Sequence, residues 1–491
     1  MSYKYIGVPQ SISYKECIAK SNVFAPSKYT RFLPQNNKLY VPLSSVCQES
    51  TERLVYSRKE RYAYSEIGDI DVSNGTVGHA CFYGLDLPSD NPKRCKYGDI
   101  LVSTVRTYRG GVGFVADNFD NHCCSPAILV IRNIIDKRIT KEYLFALLRT
   151  DFFIEQILGF QNRGMYPRLD GDAMDNVIIP VPQNDKVIKY ISLLTKAYIN
   201  KNTLIRQRYN NIIQLINKEL VDNQKHNYFN YQLPRFNETK ELGRLDTNMY
   251  SCYFKNAVFE IENYINGYKS IEKLGFRMSR GQNLQVSNIG KSIYSDKWHP
   301  GFYTLVLPMF LSKYGTVNEV KYLGNKNQLK TLKKGDLIFG AEGFEKGRSI
   351  VVVEESTNTI TNIHGITLQQ KSQDLIKAIF VKCFLDYLRS KGLIDLFAVG
   401  GNGGSLAQKY WPYIPFPNFP EKRQEEIASL YYNSKEYDTS CFSLENFLEK
   451  DNDFNSDAGI YELDKTAKQL KARLDKAIDN IINDKEVELS F

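Results

Sequence analysis

The sequence predicts an α+β chain: two similar mixed α/β domains, each followed by a long helix, the two helices forming one coiled coil. Three observations predict it. Short segments recur at a near-constant offset, from Gly98 to Gly335, Tyr166 to Gly403 and Ile179 to Ile414. Each half carries short β-like apolar runs punctuated by Gly, Asp and Pro. After each half the apolar period changes to alternating steps of three and four.

The first domain is expected over residues 1–183. Leu39-Tyr40-Val41-Pro42-Leu43 reads as a short strand. Asp99-Ile100-Leu101-Val102-Ser103-Thr104-Val105 follows a Gly-Asp turn and is β-like, as is Ala127-Ile128-Leu129-Val130-Ile131. Thr140 stands at an N-cap position ahead of Lys141–Leu148, predicting a helix that ends in the glycine-containing stretch after Leu158. Val177-Ile178-Ile179 closes the domain, and Pro180 and Pro182 stop it.

A spacer helix is expected over 184–225. Ile188, Ile191, Thr195, Tyr198, Asn202, Ile205, Tyr209, Ile212 and Ile216 form the seam. A buried Asn202 would fix register at some cost in stability. Such a helix, about 38 residues and near 57 Å long, exceeds what one domain face needs. The second domain, 226–418, repeats the first plan. Leu305–Pro308, Asp336–Phe339 and Ser349–Val353 are strand candidates, and Leu375–Leu388 is an amphipathic helix matching 141–158. In the last segment, 419–491, Glu421–Ser434 can be helical. Residues 437–459, rich in Asp and Asn, read as a loop or mobile insertion. Leu463, Ala467, Leu470, Leu474, Ala477 and Ile481 then supply the second strand of the coiled coil.

Composition narrows the function classes. At 491 residues, 42% hydrophobic and 24% charged, the chain is ordinary globular protein with room for two or three cores. Net charge is +9, compatible with a polyanionic partner without requiring one. The nine cysteines show no C-x-x-C spacing, which predicts reduced thiols and a cytoplasmic setting. The first residues lack the apolar core of a signal peptide, and no apolar run is long enough for a membrane span. There is no phosphate loop, no G-x-S-x-G elbow, no H-E-x-x-H and no Asn/Asp-Pro-Pro-aromatic tetrapeptide. The five scattered histidines predict no metal site, and no catalytic residue is expected.

Candidate nucleic-acid contacts follow from residue type. Arg106-Thr107-Tyr108-Arg109 ends a β-like run ahead of Gly110-Gly111. Arginine can fork onto guanine O6 and N7, and threonine can meet a thymine methyl. Arg163, Tyr166 and Arg168 form a second basic-aromatic group. For each arginine, a phosphate contact or a solvated charge is the plainer alternative. In the second domain Glu342, Lys346 and Arg348 stand where the first has its arginine loop, and Asn402 and Lys409 match the Arg163/Tyr166 group. Glu can accept from cytosine N4 and Asn can pair with adenine, although the glycine run around Asn402 equally suits a backbone role.

The layout resembles the specificity subunit of type I restriction-modification systems. The resemblance rests on Gly98–Ser103 and its twin Gly335–Gly340, the Tyr143–Arg149 helix, Gly164–Leu169, and the Ile-Pro-Val-Pro and Ile-Pro-Phe-Pro exits. It implies two target recognition domains on double-stranded DNA, each docking on half of a split site. Their helices would pair antiparallel and set the distance between the halves. It also implies a non-catalytic chain that binds no cofactor and recruits two adenine methyltransferase subunits and, through them, restriction/translocase subunits. S-adenosylmethionine, ATP and magnesium would belong to those partners. Two departures stand out: the 437–459 interruption, and Gly403-Gly404-Ser405-Leu406, which lacks the aromatic and arginine of its twin. A nuclease or methyltransferase with an unrecognised active site, and a protein-binding scaffold, remain the other readings.

Overall fold

The computed structural model describes residues 4–19, 22, 29, 31–32, 40–158, 173–400 and 403–491. They divide into two compact units: residues 1–203 with 437–456 and 465–491, and residues 204–436 with 457–464.

The first unit holds two four-stranded sheets. In one, the strands run in the order Cys47–Glu49, Ile128–Ile134, Ile100–Ser103, Val112–Phe114, all antiparallel, with Ile131 opposite Ile100 and Ile100 opposite Phe114. Its central strand Ile100–Ser103 is buried along its whole length, as a continuous apolar run requires. In the other, Arg61–Ser65 lies between Ala80–Tyr83 and His122–Cys124, and the last of these runs parallel to it. The expected strand at Leu39 is Tyr40–Pro42, paired with Ile178–Pro180, while Leu43 already opens a short helix and Leu39 lies outside the described residues.

Thr140 caps its helix as the sequence predicts, its Oγ1 accepting from Tyr143 N at 3.1 Å. The single helix expected to Leu158 is broken into Lys141–Leu148 and Asp151–Leu158. Arg149 makes the break. It leaves the helix to donate to Val112 O (2.8 Å) and Val72 O (3.1 Å), while Thr150 Oγ1 closes back on Leu147 O.

The second unit repeats the plan. One sheet is ordered Phe276–Arg280, Gly365–Gln370, Leu337–Gly340, Ser349–Val351. The other is ordered Ser292–Ser295, Lys321–Asn325, Tyr303–Leu305, Thr359–Ile360, again with one parallel pair. Pro308 turns the expected Leu305–Pro308 strand into a 3-10 turn after Leu305. The helix Leu375–Ser390 is capped by Asp374.

The duplicated Gly-Asp pair is duplicated geometry. Gly98 and Gly335 adopt φ of +80° and +86°, which glycine alone reaches cheaply. Each amide donates at 2.8 Å to the residue just after a neighbouring strand, Gly98 to Val115 O and Gly335 to Val352 O. Asp99 and Asp336 then accept the amides of Lys96 (2.8 Å) and Lys333 (2.9 Å).

The spacer helix is Asp185–Asp222 and the distal one Ile460–Ile482. In the first unit Ile188, Ile191 and Leu194 share one core with Leu470, Leu474 and Ile481. Val187 and Ile481 line one pocket, whereas Lys201 meets Asp451 and Asn455 of a preceding helix, so within this unit the chain from 451 to 481 runs antiparallel to the chain from 187 to 201. In the second unit Ile205, Ile212, Ile216 and Leu463 are buried. Tyr198 is buried as well, but Asn202 is only half-buried and donates to Tyr198 O of its own helix at 2.8 Å. Thr195 and Lys201 of this helix are both fully buried.

Lys201 also corrects the expectation for 437–459. Part of that stretch is a helix, Phe447–Asp457. Fully buried Lys201 pairs with Asp451 at 2.8 Å and donates to Asn455 Oδ1 at 2.6 Å, under the rings of Tyr437 and Phe454. Tyr437 and Asn455 donate to the same Asp451 carboxylate. The acidic and amide residues that suggested a loop are the partners of one buried cation.

Candidate nucleic-acid interface

In each unit the strand after the Gly-Asp turn leads into a loop at the same end of the corresponding sheet. In the first, Ser103 N donates to Gly111 O at 2.8 Å, closing a loop over 104–110. In the second, Gly340 N donates to Arg348 O at 2.8 Å and closes 341–347. Gly110 and Gly347 both turn at positive φ. The frames match residue for residue, and their contents differ.

In the first loop Arg106 is half-buried and left-handed, φ +52° and ψ +41°, ahead of the 3-10 turn Thr107–Arg109. Its counterpart in the second loop is Gly343, at φ +84°. An arginine thus occupies a backbone state that glycine fills in the sister loop. Tyr108 (42% exposed) and Arg109 project into solvent, the guanidinium carbon 6.0 Å from the Tyr108 ring centre. Thr107 does not: it is fully buried, and its hydroxyl donates to Ser103 O at 2.7 Å. The expected thymine contact gives way to a structural hydrogen bond, because a 3-10 turn this tight directs its first side chain back to the strand.

The second loop is paired within itself. Glu342 meets Arg280 Nη1 at 2.9 Å through one oxygen and His364 Nδ1 at 2.7 Å through the other. Burial alone would raise the Glu342 carboxyl, but the hydrogen bonds from His364 and Arg280 outweigh it and hold the group below the usual carboxylate range. A carboxylate committed to a guanidinium and an imidazole is a poor acceptor for cytosine. Lys346 is buried against Asp395 at 2.7 Å, so it too is no surface contact. Arg348 donates to Leu311 O at 2.8 Å and pairs with Glu345. Lys409 is exposed, its ammonium 4.8 Å from the Tyr410 ring centre. Arg163, Tyr166, Arg168 and Asn402 lie outside the described residues.

Arg280 and His364 escaped the sequence reading. They are brought to Glu342 by strand order alone, Phe276–Arg280 lying beside Gly365–Gln370 and that beside Leu337–Gly340. The one available signal was Arg280 itself, a basic residue closing a β-like run ahead of a glycine, as in the first loop. Among the described residues no group of three or more His, Cys, Asp or Glu side chains is arranged to hold a metal ion. No helix among them is long and apolar enough to cross a membrane.

Two like α/β units thus carry unlike polar loops on matching frames. Over 186 residues, 36% of this chain, it is 30% identical to the type I restriction enzyme HindI specificity subunit of Haemophilus influenzae. The match spans 39% of that relative's length. No protein-family profile matches the chain. Among solved structures it is similar to the HsdS subunit from Thermoanaerobacter tengcongensis, with 17% identity, a TM-score of 0.31, and coverage of 91% of this chain and 96% of that one. It is also similar to the type I restriction-modification S subunit from M. genitalium, with 12% identity, a TM-score of 0.45, and coverage of 91% and 98%.

Proposed function

We propose that this chain is the DNA sequence-recognition subunit of a type I restriction-modification complex, non-catalytic and cytoplasmic. Residues 1–183 and 226–418 each read half of a bipartite site. The helices at 184–225 and 419–491 space the two readers. The chain recruits two adenine methyltransferase subunits and, with them, restriction/translocase subunits, which carry S-adenosylmethionine, ATP and magnesium. The reading rests above all on one observation: matched frames at 98–111 and 335–348 present a cationic-aromatic loop in one unit and an Arg-Glu-His cluster in the other. Duplicated frames with unlike contents suit two unlike half-sites, so the target is asymmetric. The similarity to a specificity subunit supports the same assignment.

The test is methylation mapping of a host that expresses this chain with its methyltransferase partner. A split adenine motif that vanishes when this chain is deleted is the expected result. Strand cleavage or methyl transfer by the purified chain alone would overturn the proposal, as would failure of the complex to bind bipartite DNA.

A further inference from the structure

Arg280 of the second unit is held on one side only. It ends the strand Phe276–Arg280. At Gly281 the chain passes so close to its neighbour that a Cβ there would stand 2.2 Å from Asn362 O, which fixes where the arginine leaves the sheet. Its Nη1 donates to Glu342 Oε1 (2.9 Å) and to Ile363 O (3.1 Å). The second oxygen of Glu342 is held by His364 Nδ1 at 2.7 Å, so the carboxylate that grips the guanidinium is itself gripped. Among the described residues Nε and Nη2 of Arg280 have no hydrogen-bond partner, and the side chain is 36% exposed. The space beside the cluster is open, for a Cβ on Gly343 would meet nothing within 4 Å.

Charge decides between the two uses of such an arginine. A phosphate clamp gains from net positive charge and tolerates a mobile side chain. Here a carboxylate cancels the charge and fixes the plane, which weakens attraction to phosphate and favours a contact that depends on orientation. A planar fork with two parallel donors matches the O6 and N7 acceptors of guanine in the major groove.

On the strength of the DNA-reading function proposed above, we propose that Arg280 is a guanine-reading residue of the second unit. Glu342 and His364 are its positioning residues, holding the guanidinium so that its Nε–Nη2 edge meets the base.

The test uses the full chain assembled with its methyltransferase partner, selected on a randomised DNA library at fixed salt. Wild type must first select a bipartite sequence; if it selects none, the proposed function falls and this inference with it. Given selection, Arg280→Ala and Arg280→Lys are each expected to lose preference for one guanine in one half-site by about 10- to 100-fold. Every position of the other half-site should be unchanged. Arg280→Lys keeps the charge and controls for folding. Glu342→Ala should relax the same guanine, and Arg280→Ala/Glu342→Ala should be no worse than Arg280→Ala, since both act through one fork. Three results overturn the inference while leaving the function standing: equal weakening on all sequences, unchanged preference in Arg280→Lys, or a different base position loosened by Glu342→Ala.

Discussion

Replacing Arg106 by glycine and by alanine should give stabilities in the reverse of the ordinary order. At most positions glycine is less stable than alanine by roughly 0.5–1 kcal/mol, because the unfolded chain gains freedom. Arg106 stands at φ +52°, ψ +41°, where an L-residue costs about 1–2 kcal/mol through the clash of Cβ with the following carbonyl. Alanine keeps that Cβ and the cost. Glycine removes it and gives back about half to unfolded-state entropy. Arg106→Gly is therefore expected to be more stable than Arg106→Ala by about 0.5–1 kcal/mol, a shift of roughly 1–4 °C in the unfolding midpoint for a domain of this size. Urea and thermal unfolding of the two variants, read from the first unit's transition, measure it. Arg106→Ala more stable than Arg106→Gly by 0.5 kcal/mol or more would refute the reasoning, for the backbone would not then be held left-handed. Both variants should weaken recognition of the first unit's half-site alone.

Thr107→Val should cost about 1 kcal/mol of stability, the hydrogen bond to Ser103 O, and leave base preference untouched when both are measured on one preparation. Lys201→Met should destabilise the first unit by roughly 3–5 kcal/mol in urea unfolding, because it strands the buried Asp451 carboxylate. Lys201→Met/Asp451→Leu should recover part of that loss, and a double variant no better than the single would contradict the account. Burial raises the Asp336 carboxyl above its ordinary value, more than the hydrogen bonds from Lys333, Gln369 and Gln370 lower it. The folded state then holds the proton more tightly than the unfolded one. Its contribution is full below the ordinary carboxylate range and is lost as pH rises through the folded value. Asp336→Asn should flatten that part of the stability profile, and an unchanged acid-side slope would show that Asp336 is not its source.

The sequence was legible wherever chemistry is local. The Thr140 cap, the Gly-Asp turns and the continuous apolar strands each follow from neighbouring residues, and the structure reproduces them. The repeat at an offset of 237 residues is visible as well, but it is not the sole spacing. Gly75-Thr76-Val77 and Gly315-Thr316-Val317, and likewise Leu148-Arg149 and Leu388-Arg389, recur at 240, a slightly different offset (75 to 315, 149 to 389). Arg149 and Arg389 both donate to a carbonyl just ahead of the respective Gly-Thr-Val turn, Val72 O and Lys313 O. The repeat therefore includes an arginine brace that a single fixed spacing conceals.

What the sequence by itself determined was the duplicated α+β plan, the long helices with their apolar seams, and the difference in charge between two equivalent loops. Tertiary structure decided which of those loop residues face solvent. Thr107 and Lys346 turn inward because a tight turn and a nearby Asp395 offer them partners, and neither partner can be named from the local sequence. It also decided that Asp451, read as loop, balances Lys201 across some 250 residues of chain, and that Arg280, Glu342 and His364 meet at one sheet end. Hydrophobic period and turn chemistry act over a few residues, so sequence reveals them. Pairing of buried or oriented charges depends on strand order and helix contact, which only the folded chain supplies.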